Sequence, residues 1–443
     1  MPSNCDNTLN TINYKPRSRS IPYDRVYPAQ LETQSLGKLQ VNVTSSVDAH
    51  PIENAIITVS QAGTATEAAI EELRTNPSGR SGILDLPAPP LEYSLTPASP
   101  MPYAEYNFTI SAPGFEPIVI SGAQVLPTVK AIQNISLDPV PVEATTVSET
   151  FPIPYHTLYG EYPPKIMEPE IKPVEAGEIV LTSVVIPEFV IVHDGPPSDT
   201  SAIDHWVPYK DYIKNVASSE IYATWPEPTI FANIFAIQSF TLNRVFTEWY
   251  RNQGYNFTIT SSTAFDHKFM PSRNIFDTID QAVDRLFTNY LSRPNVLQPI
   301  LTQYCDGQRV TCPNVMSQWG SKELGEQGRS AIEILRNYYG DSIFLNSAAQ
   351  VSGVPMSYPG TELRVGSSGD SVRQIQQQIN EIAKVYYAVP NVTEDGNFTA
   401  QTEEAIKAFQ TTFDLPVTGV VNLATWYKIS GIYVAITRIG EYQ

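Results

Sequence analysis

One carboxyl group stands out by its neighbours. Glu220 lies in ASSEIYATWP, among Ile221, Tyr222 and Trp225, just ahead of a long apolar helical pattern. Apolar surroundings raise a carboxyl pKa, which is what an acid donating a proton near neutral pH requires. The same position also suits a carboxylate that only favours the N-terminus of the following helix. Cys305 and Cys312 stand seven apart in QYCDGQRVTC. That spacing is open to a short disulfide loop, to zinc binding with histidine help, or to free thiols. With Cys5 they make three cysteines, which is no disulfide framework. The five histidines, His50, His156, His193, His205 and His267, show no metal-ligand spacing, and no zinc-hydrolase motif occurs.

The elements that must position these groups follow from periodicity. From Gly37 short β-branched runs (LQVNV, AIITVS, YNFTISAPG, PIVISG, QNISL) alternate with Pro, Gly and Asp, which indicates a small antiparallel β-sandwich over 36–138. Residues 1–35 look irregular. Of 37 prolines, 20 lie between residues 87 and 197. The acidic, Pro-rich stretch 139–178 reads as an extended linker, exposed and open to proteases. In the central block, 179–346, apolar residues recur at helical spacing from Pro226 to Arg251, with Pro226 and Pro228 suited to a first turn. Further helices are expected near Phe276–Leu291 and Gly325–Tyr339. A turn-rich linker, 347–360, leads to a C-terminal block, 361–432, that reads as helix, loop, helix, turn, helix, with a tail at 433–443. The fold class is therefore multidomain α+β: a β-sandwich, a mixed α+β central domain and a three-helix bundle.

Composition excludes several functions. The 443 residues carry a net charge of −18, and the segments 1–140, 141–180, 181–346 and 347–443 carry −5, −5, −5 and −3. No segment is basic, so nucleic acid would lack the electrostatic attraction that dominates its binding, and anionic lipid is disfavoured equally. No uninterrupted apolar stretch of about 18 residues occurs, so no membrane insertion is expected. The N-terminus has no apolar core of a secretory signal, so no signal peptide is expected.

Two motif sets carry resemblances. Gly366, Gly369, Val372, Ile375 and Gln376, then Asp395, Gly396, Phe398, Thr402, Ala405, Phe409 and Gln410, then Leu415, Gly419, Thr425 and Trp426 resemble the three-helix peptidoglycan-binding module. Tyr212, Ile213, Val216, Glu220, Trp225, Pro226, Ala232, Ala236 and Leu242 fall without gaps on the pattern of the SpoIID family of lytic transglycosylases. Met316, Ser317, Gln318, Trp319 and Gly320, with Gly328, Ile334, Leu335, Tyr338 and Tyr339, resemble that family's closing motif. The chain departs where the family has Arg-Thr-Tyr: here stand Gln238, Ser239 and Phe240. Residues 36–138 resemble transthyretin-like or carboxypeptidase-regulatory sandwiches.

The order of these parts is similar to the SleC family of spore cortex-lytic enzymes. The resemblance implies an enzyme that cuts the MurNAc–GlcNAc bond of cortex peptidoglycan during germination. It also implies a proform, with the sandwich as prodomain, cut within 139–178 by a subtilisin-like Csp protease. Such a protein is made in the mother cell and sits in the cortex and coat region of the spore. The implied catalytic residue is Glu220. Gln318, Gln238, Ser239, His267, Asp266, Tyr304 and Asp306 are implied as substrate-binding or site-ordering residues. Some relatives bind zinc through a Cys-rich run absent here, so no metal and no other cofactor is expected. A hydrolytic N-acetylmuramidase and a non-catalytic cortex-binding scaffold are the alternatives, the latter kept alive by Gln238.

Overall fold

A computed structural model describes residues 35–63, 69–141, 148–169, 181 and 183–437. The expected irregular segment, apart from Ser35, lies outside these residues, as do 142–147 and 170–178 of the expected linker and the end of the expected tail.

The N-terminal half holds β1 (Ser35–Ser45), β2 (Ile56–Gln61), β3 (Ala69–Arg74), β4 (Leu84–Ala88), α1 (Glu92–Leu95), β5 (Ala104–Ser111), β6 (Ile118–Val125), β7 (Lys130–Leu137) and β8 (Glu149–Pro152). Strands β3-β2-β5-β6-β8 form one sheet, in that order. In the second sheet β1 pairs parallel with β7 and antiparallel with β4. Alternate residues turn inward, as period two requires: Leu39, Val41 and Val43 of β1 and Ile57 and Val59 of β2 are fully buried in one apolar cluster.

The central part contains β9 (Val185–Ile186), β10 (Phe189–His193), β11 (Asp204–Pro208), α2 (Tyr209–Glu220), α3 (Glu227–Phe246), β12 (Ile259–Thr260), β13 (Ile275–Phe276), α4 (Asp277–Leu286), β14 (Asn289–Ser292), β15 (Tyr304–Cys305), β16 (Met316–Ser317), α5 (Gln318–Glu326), α6 (Ala331–Tyr339), β17 (Phe344–Ser347) and β18 (Gln350–Val351). Helix α3 starts behind Pro226 and stays buried along most of its length. It ends five residues short of the expected Arg251, where Glu248 takes a positive φ of 47°. The single helix expected at Gly325–Tyr339 is two. Gly328 turns left-handed at φ 80°, and Ser330 with Glu333 forms a capping box that starts α6. No described helix is long and apolar enough to cross a membrane.

The two halves interlock. Strand β13 pairs with β7, placing Ile275 opposite Ile132 at the edge of the N-terminal sheet. Trp225 Nε1 donates to Ser94 O at 2.9 Å, and Gln124 exchanges backbone hydrogen bonds of 2.9 Å with the Asn274 amide. The unit Ser35–Gln443 is compact as one. The stretch 139–178, expected as exposed, is largely exposed where it is described, but it is not free of the fold: β8 joins a sheet, and Ile153, His156 and Thr157 are buried.

The C-terminal part consists of α7 (Asp370–Ala383), α8 (Ala400–Thr412) and α9 (Leu423–Thr437). Two glutamines hold its turns in the same way. Gln376 Oε1 accepts from Gly396 N at 2.8 Å, and Gln410 Oε1 accepts from Gly419 N at 2.8 Å. Both glycines have positive φ, 76° and 72°, so each glutamine fixes a turn that a side chain would strain.

Candidate active site

Helix α2 ends at Glu220. The terminal carbonyls of a helix carry partial negative charge, which disfavours a carboxylate there. The reading of Glu220 as a helix-entry carboxylate is corrected: it closes α2, and α3 begins only at Glu227. The side chain is 5% exposed. Burial pushes its pKa up, while Lys165, the Lys268 N–H, Gln318 and Thr157 pull it back in part. Lys268 N donates to Glu220 Oε1 at 2.7 Å. Gln318 Nε2 donates to the Glu220 carbonyl at 3.0 Å and to Oε2 at 3.2 Å. Thr157 Oγ1 lies 3.4 Å from Oε2.

The closing motif reaches Glu220 through local pairing. Strands β15 and β16 are parallel, so Tyr304 and Cys305 lie beside Met316 and Ser317, and Gln318 starts α5 directly after them. Ser317 caps that helix, accepting from Gly320 N at 2.9 Å. A Cβ on Gly320 would run into the Tyr338 hydroxyl, which explains the glycine of MSQWG. Trp225 and Trp319, with ring centroids 5.0 Å apart, form with Tyr222 an aromatic wall next to Glu220.

Glu220 faces a cavity of about 280 Å³ whose lining includes Gln318, Asp266, Tyr304, Asp306, Lys165 and Arg309. Four of the expected site residues therefore join Glu220 there. Asp266 is engaged on both oxygens. Its Oδ1 accepts from Arg244 Nε at 2.7 Å, and its Oδ2 accepts from Tyr250 OH at 2.6 Å, Thr260 N at 2.9 Å and Thr260 Oγ1 at 2.8 Å. Asp306 folds its own loop, accepting from Val310 N at 3.0 Å and Arg309 Nε at 2.7 Å. The Tyr304 hydroxyl is buried and meets no hydrogen-bonding protein atom. His267 is fully buried behind Tyr304, its ring stacked at 5.6 Å, and Tyr212 OH lies 3.1 Å from its Nδ1. Burial and the nearby Lys165 and Arg244 push its pKa well below the usual value, so it is neutral.

Gln238 and Ser239 lie elsewhere. The Gln238 amide, oriented so that both ends are satisfied, donates to Leu286 O and to Asn289 O at 2.7 Å. Ser239 Oγ accepts from Leu291 N at 2.9 Å. Both brace α3 against the α4–β14 turn and do not line the cavity. A buried cation of α3, Arg244, lies six residues on and holds Asp266; sequence reading missed it, and its signal was an arginine inside an apolar helical run. Cys305 and Cys312 are joined by a disulfide with Cα atoms 5.8 Å apart, which resolves the three readings left open by spacing. Among the described residues no three His, Cys, Asp or Glu side chains converge as metal ligands would.

Residues 155–168, read from sequence as linker, supply part of the site. Lys165 Nζ donates to Asp266 O and lies 5.0 Å and 5.2 Å from the ring centroids of Phe240 and Tyr304. Burial lowers its pKa to about 8. Glu168 takes a two-pronged ion pair from Arg244, at 2.6 and 3.1 Å.

Comparison with known proteins places one part of the chain. Residues 368–429 match the family model of a peptidoglycan binding domain, and peptidoglycan is thereby a partner of this chain. Among solved structures, the SleB N-terminal domain is similar with 25% identity and a TM-score of 0.16, over 17% of this chain and 99% of that one. The Bacillus anthracis TIE protein is similar with 15% identity and a TM-score of 0.17, over 24% of this chain and 17% of that one. The minor pilin GBS52 of Streptococcus agalactiae is similar with 11% identity and a TM-score of 0.18, over 26% of this chain and 49% of that one. The chain thus spans less than half the length of the last two. No curated protein matches it.

Proposed function

We propose that this protein is a lytic transglycosylase that cuts the MurNAc–GlcNAc bond of spore cortex peptidoglycan during germination. The observation that carries the reading is Glu220: a buried carboxyl of raised pKa at a helix C-terminus, held by Gln318 on a cavity, in a chain with a peptidoglycan-binding part. Of the other three carboxylates on that cavity, Asp266 is occupied by Arg244, Tyr250 and Thr260, Asp306 by its own loop, and Glu161 is exposed. One buried carboxyl left to act suits transglycosylation better than hydrolysis. Protonated Glu220 gives its proton to the departing glycosidic oxygen as the C1–O bond breaks. The resulting carboxylate then accepts the proton of the muramic C6 hydroxyl, whose oxygen closes on C1 of its own ring. The product is a 1,6-anhydro sugar, and Glu220 ends protonated as it began. An intramolecular hydroxyl has a high effective concentration, so no positioned water is needed. Peptidoglycan held by α7–α9 brings glycan to the cavity. The SleC-like reading adds that the protein is stored in the spore as a proform and is released by a subtilisin-like protease cutting within 139–178.

The test is mass spectrometry of muropeptides released from decoated cortex by the full chain, before and after a cut in that segment. Products one water lighter than hydrolytic ones support the transglycosylase. Reducing muramic ends replace it with an N-acetylmuramidase. Binding without any cleavage, cut or uncut, replaces it with a scaffold.

A further inference from the structure

The stretch after β8 runs across Glu220. Thr157 N and Oγ1 donate to Ser219 O at 3.1 and 2.8 Å, immediately before the acid. Further along, Ile166 N donates to Ala264 O at 2.6 Å, and Glu168 N donates to Gln303 Oε1 at 2.9 Å. The strap is thus pinned on both sides of the cavity. Between the pins, Tyr162, Pro163, Pro164 and Lys165 line the cavity itself. The Lys165 ammonium sits over two aromatic faces and next to the Asp266 carbonyl, in the space Glu220 faces. A sugar ring presented to Glu220 needs that space.

One further contact fastens the strap. The Arg309 guanidinium donates to Thr157 O and Gly160 O. Arg309 belongs to the loop closed by the Cys305–Cys312 disulfide and is aimed by Asp306, which accepts from its Nε at 2.7 Å. The disulfide closes this loop over a sequence separation of 7, so opening it frees the backbone that aims Arg309.

We propose that residues 155–168 are a built-in occupant of the glycan site, with Lys165 holding the place of a sugar ring beside Glu220, and that the disulfide loop latches this strap through Arg309. The inference rests on Glu220 being the acid, and it adds a means of regulation. An external dithiol opens the latch: one thiolate attacks a sulfur of the disulfide, the second closes on the mixed disulfide, and Cys305 and Cys312 leave as thiols while the dithiol becomes a cyclic disulfide.

The test uses the full chain and two readouts. In the first, amide exchange is followed by mass spectrometry in the wild type, with and without dithiothreitol, and in Arg309→Ala and Cys305→Ser/Cys312→Ser. Exchange in 155–168 rises about tenfold on reduction and in both variants, while α3 and α7 keep their protection. In the second, soluble GlcNAc–MurNAc oligosaccharides are titrated by calorimetry against Glu220→Gln, so that none is consumed, and against Glu220→Gln/Lys165→Ala. A strap that is open a tenth of the time lowers apparent affinity about tenfold, so the double variant binds about tenfold more tightly. Unchanged exchange in 155–168 on reduction and in Arg309→Ala overturns the latch, and equal affinities overturn the occupant, whatever the activity. Strap opening and tighter binding without cleavage by any variant leave the strap and its latch standing and overturn the transglycosylase. Cleavage by a wild type whose strap stays protected, at the rate of Lys165→Ala, does the reverse.

Discussion

The Arg244 ion pairs set a test of how the cavity is held. Arg244 is 1% exposed and Asp266 fully buried, and Asp266 accepts from four donors on its two oxygens. In Asp266→Asn, the amide nitrogen must face either Arg244 Nε or the donors of Tyr250 and Thr260, and Arg244 keeps Glu168 as its one charged partner among these. Breaking a buried pair on one side costs about 3–5 kcal/mol. At about 2.1 cal/mol/K per residue, the unit Ser35–Gln443 has an unfolding entropy of roughly 0.9 kcal/mol/K at its midpoint. The expected fall in Tm is therefore about 3–6 °C by scanning calorimetry. Glu168 is 16% exposed on its side chain, and Asp266 still neutralises Arg244 in Glu168→Gln. That change should cost about 1–2 kcal/mol, so Tm falls by about 1–2 °C. In an Arg244→Met background the Asp266→Asn penalty should shrink, because the two side chains form one network. Equal shifts for Asp266→Asn and Glu168→Gln, or a loss under about 1 °C for the former, would refute this account of the brace.

Further predictions concern the acid and its surroundings. With Glu220 as the proposed acid, acting while protonated, the rate should fall as pH rises through its elevated pKa. Lys165 favours the carboxylate, and Lys165→Met should move that limb to higher pH, read from the pH–rate profile. Lys165 itself is lowered to about 8 from 10.5, so between these values the unfolded chain holds a proton that the folded one has released. Its contribution to stability therefore increases with pH across that window, and Lys165→Met should flatten that rise in denaturant titrations. Gly320→Ala forces a methyl against the Tyr338 hydroxyl and should cost about 1–3 kcal/mol. Tyr338→Phe in the same chain should restore part of the lost Tm. Gln410→Ala leaves the Gly419 N–H without its acceptor and should loosen the α8–α9 turn, lowering retention on insoluble peptidoglycan.

Much of the site was legible because it is written in local patterns. Glu220 is marked by Tyr222 and Trp225 beside it and the MSQWG run by its resemblance to a family motif, and β15–β16 pairing explains how they meet. The helices α3 and α7–α9 follow from apolar period and turn residues, whereas α2, which ends on Glu220, was not read as a helix. What escaped depends on contacts distant in sequence. Pro-rich 155–168 has no helical or strand period, so nothing local shows that it lies on Glu220. Strand β13, two residues long, gives no sign that it will extend the sheet of β7. Gln238 and Ser239 sit one helical face away from the cavity, a difference that family spacing alone does not show. The capping box at Ser330 and Glu333 was a visible signal that the apolar pattern from Gly325 to Tyr339 obscured.

The central claim is that Glu220 is the acid of glycan cleavage. The measurement is the initial rate of bond cleavage in cortex peptidoglycan by wild type and Glu220→Gln, both cut within 139–178, with binding to the same material measured in parallel. The account predicts equal binding and a rate lower by about 10²–10⁴ in the variant, the share of a positioned general acid. Rates within threefold of each other would contradict it.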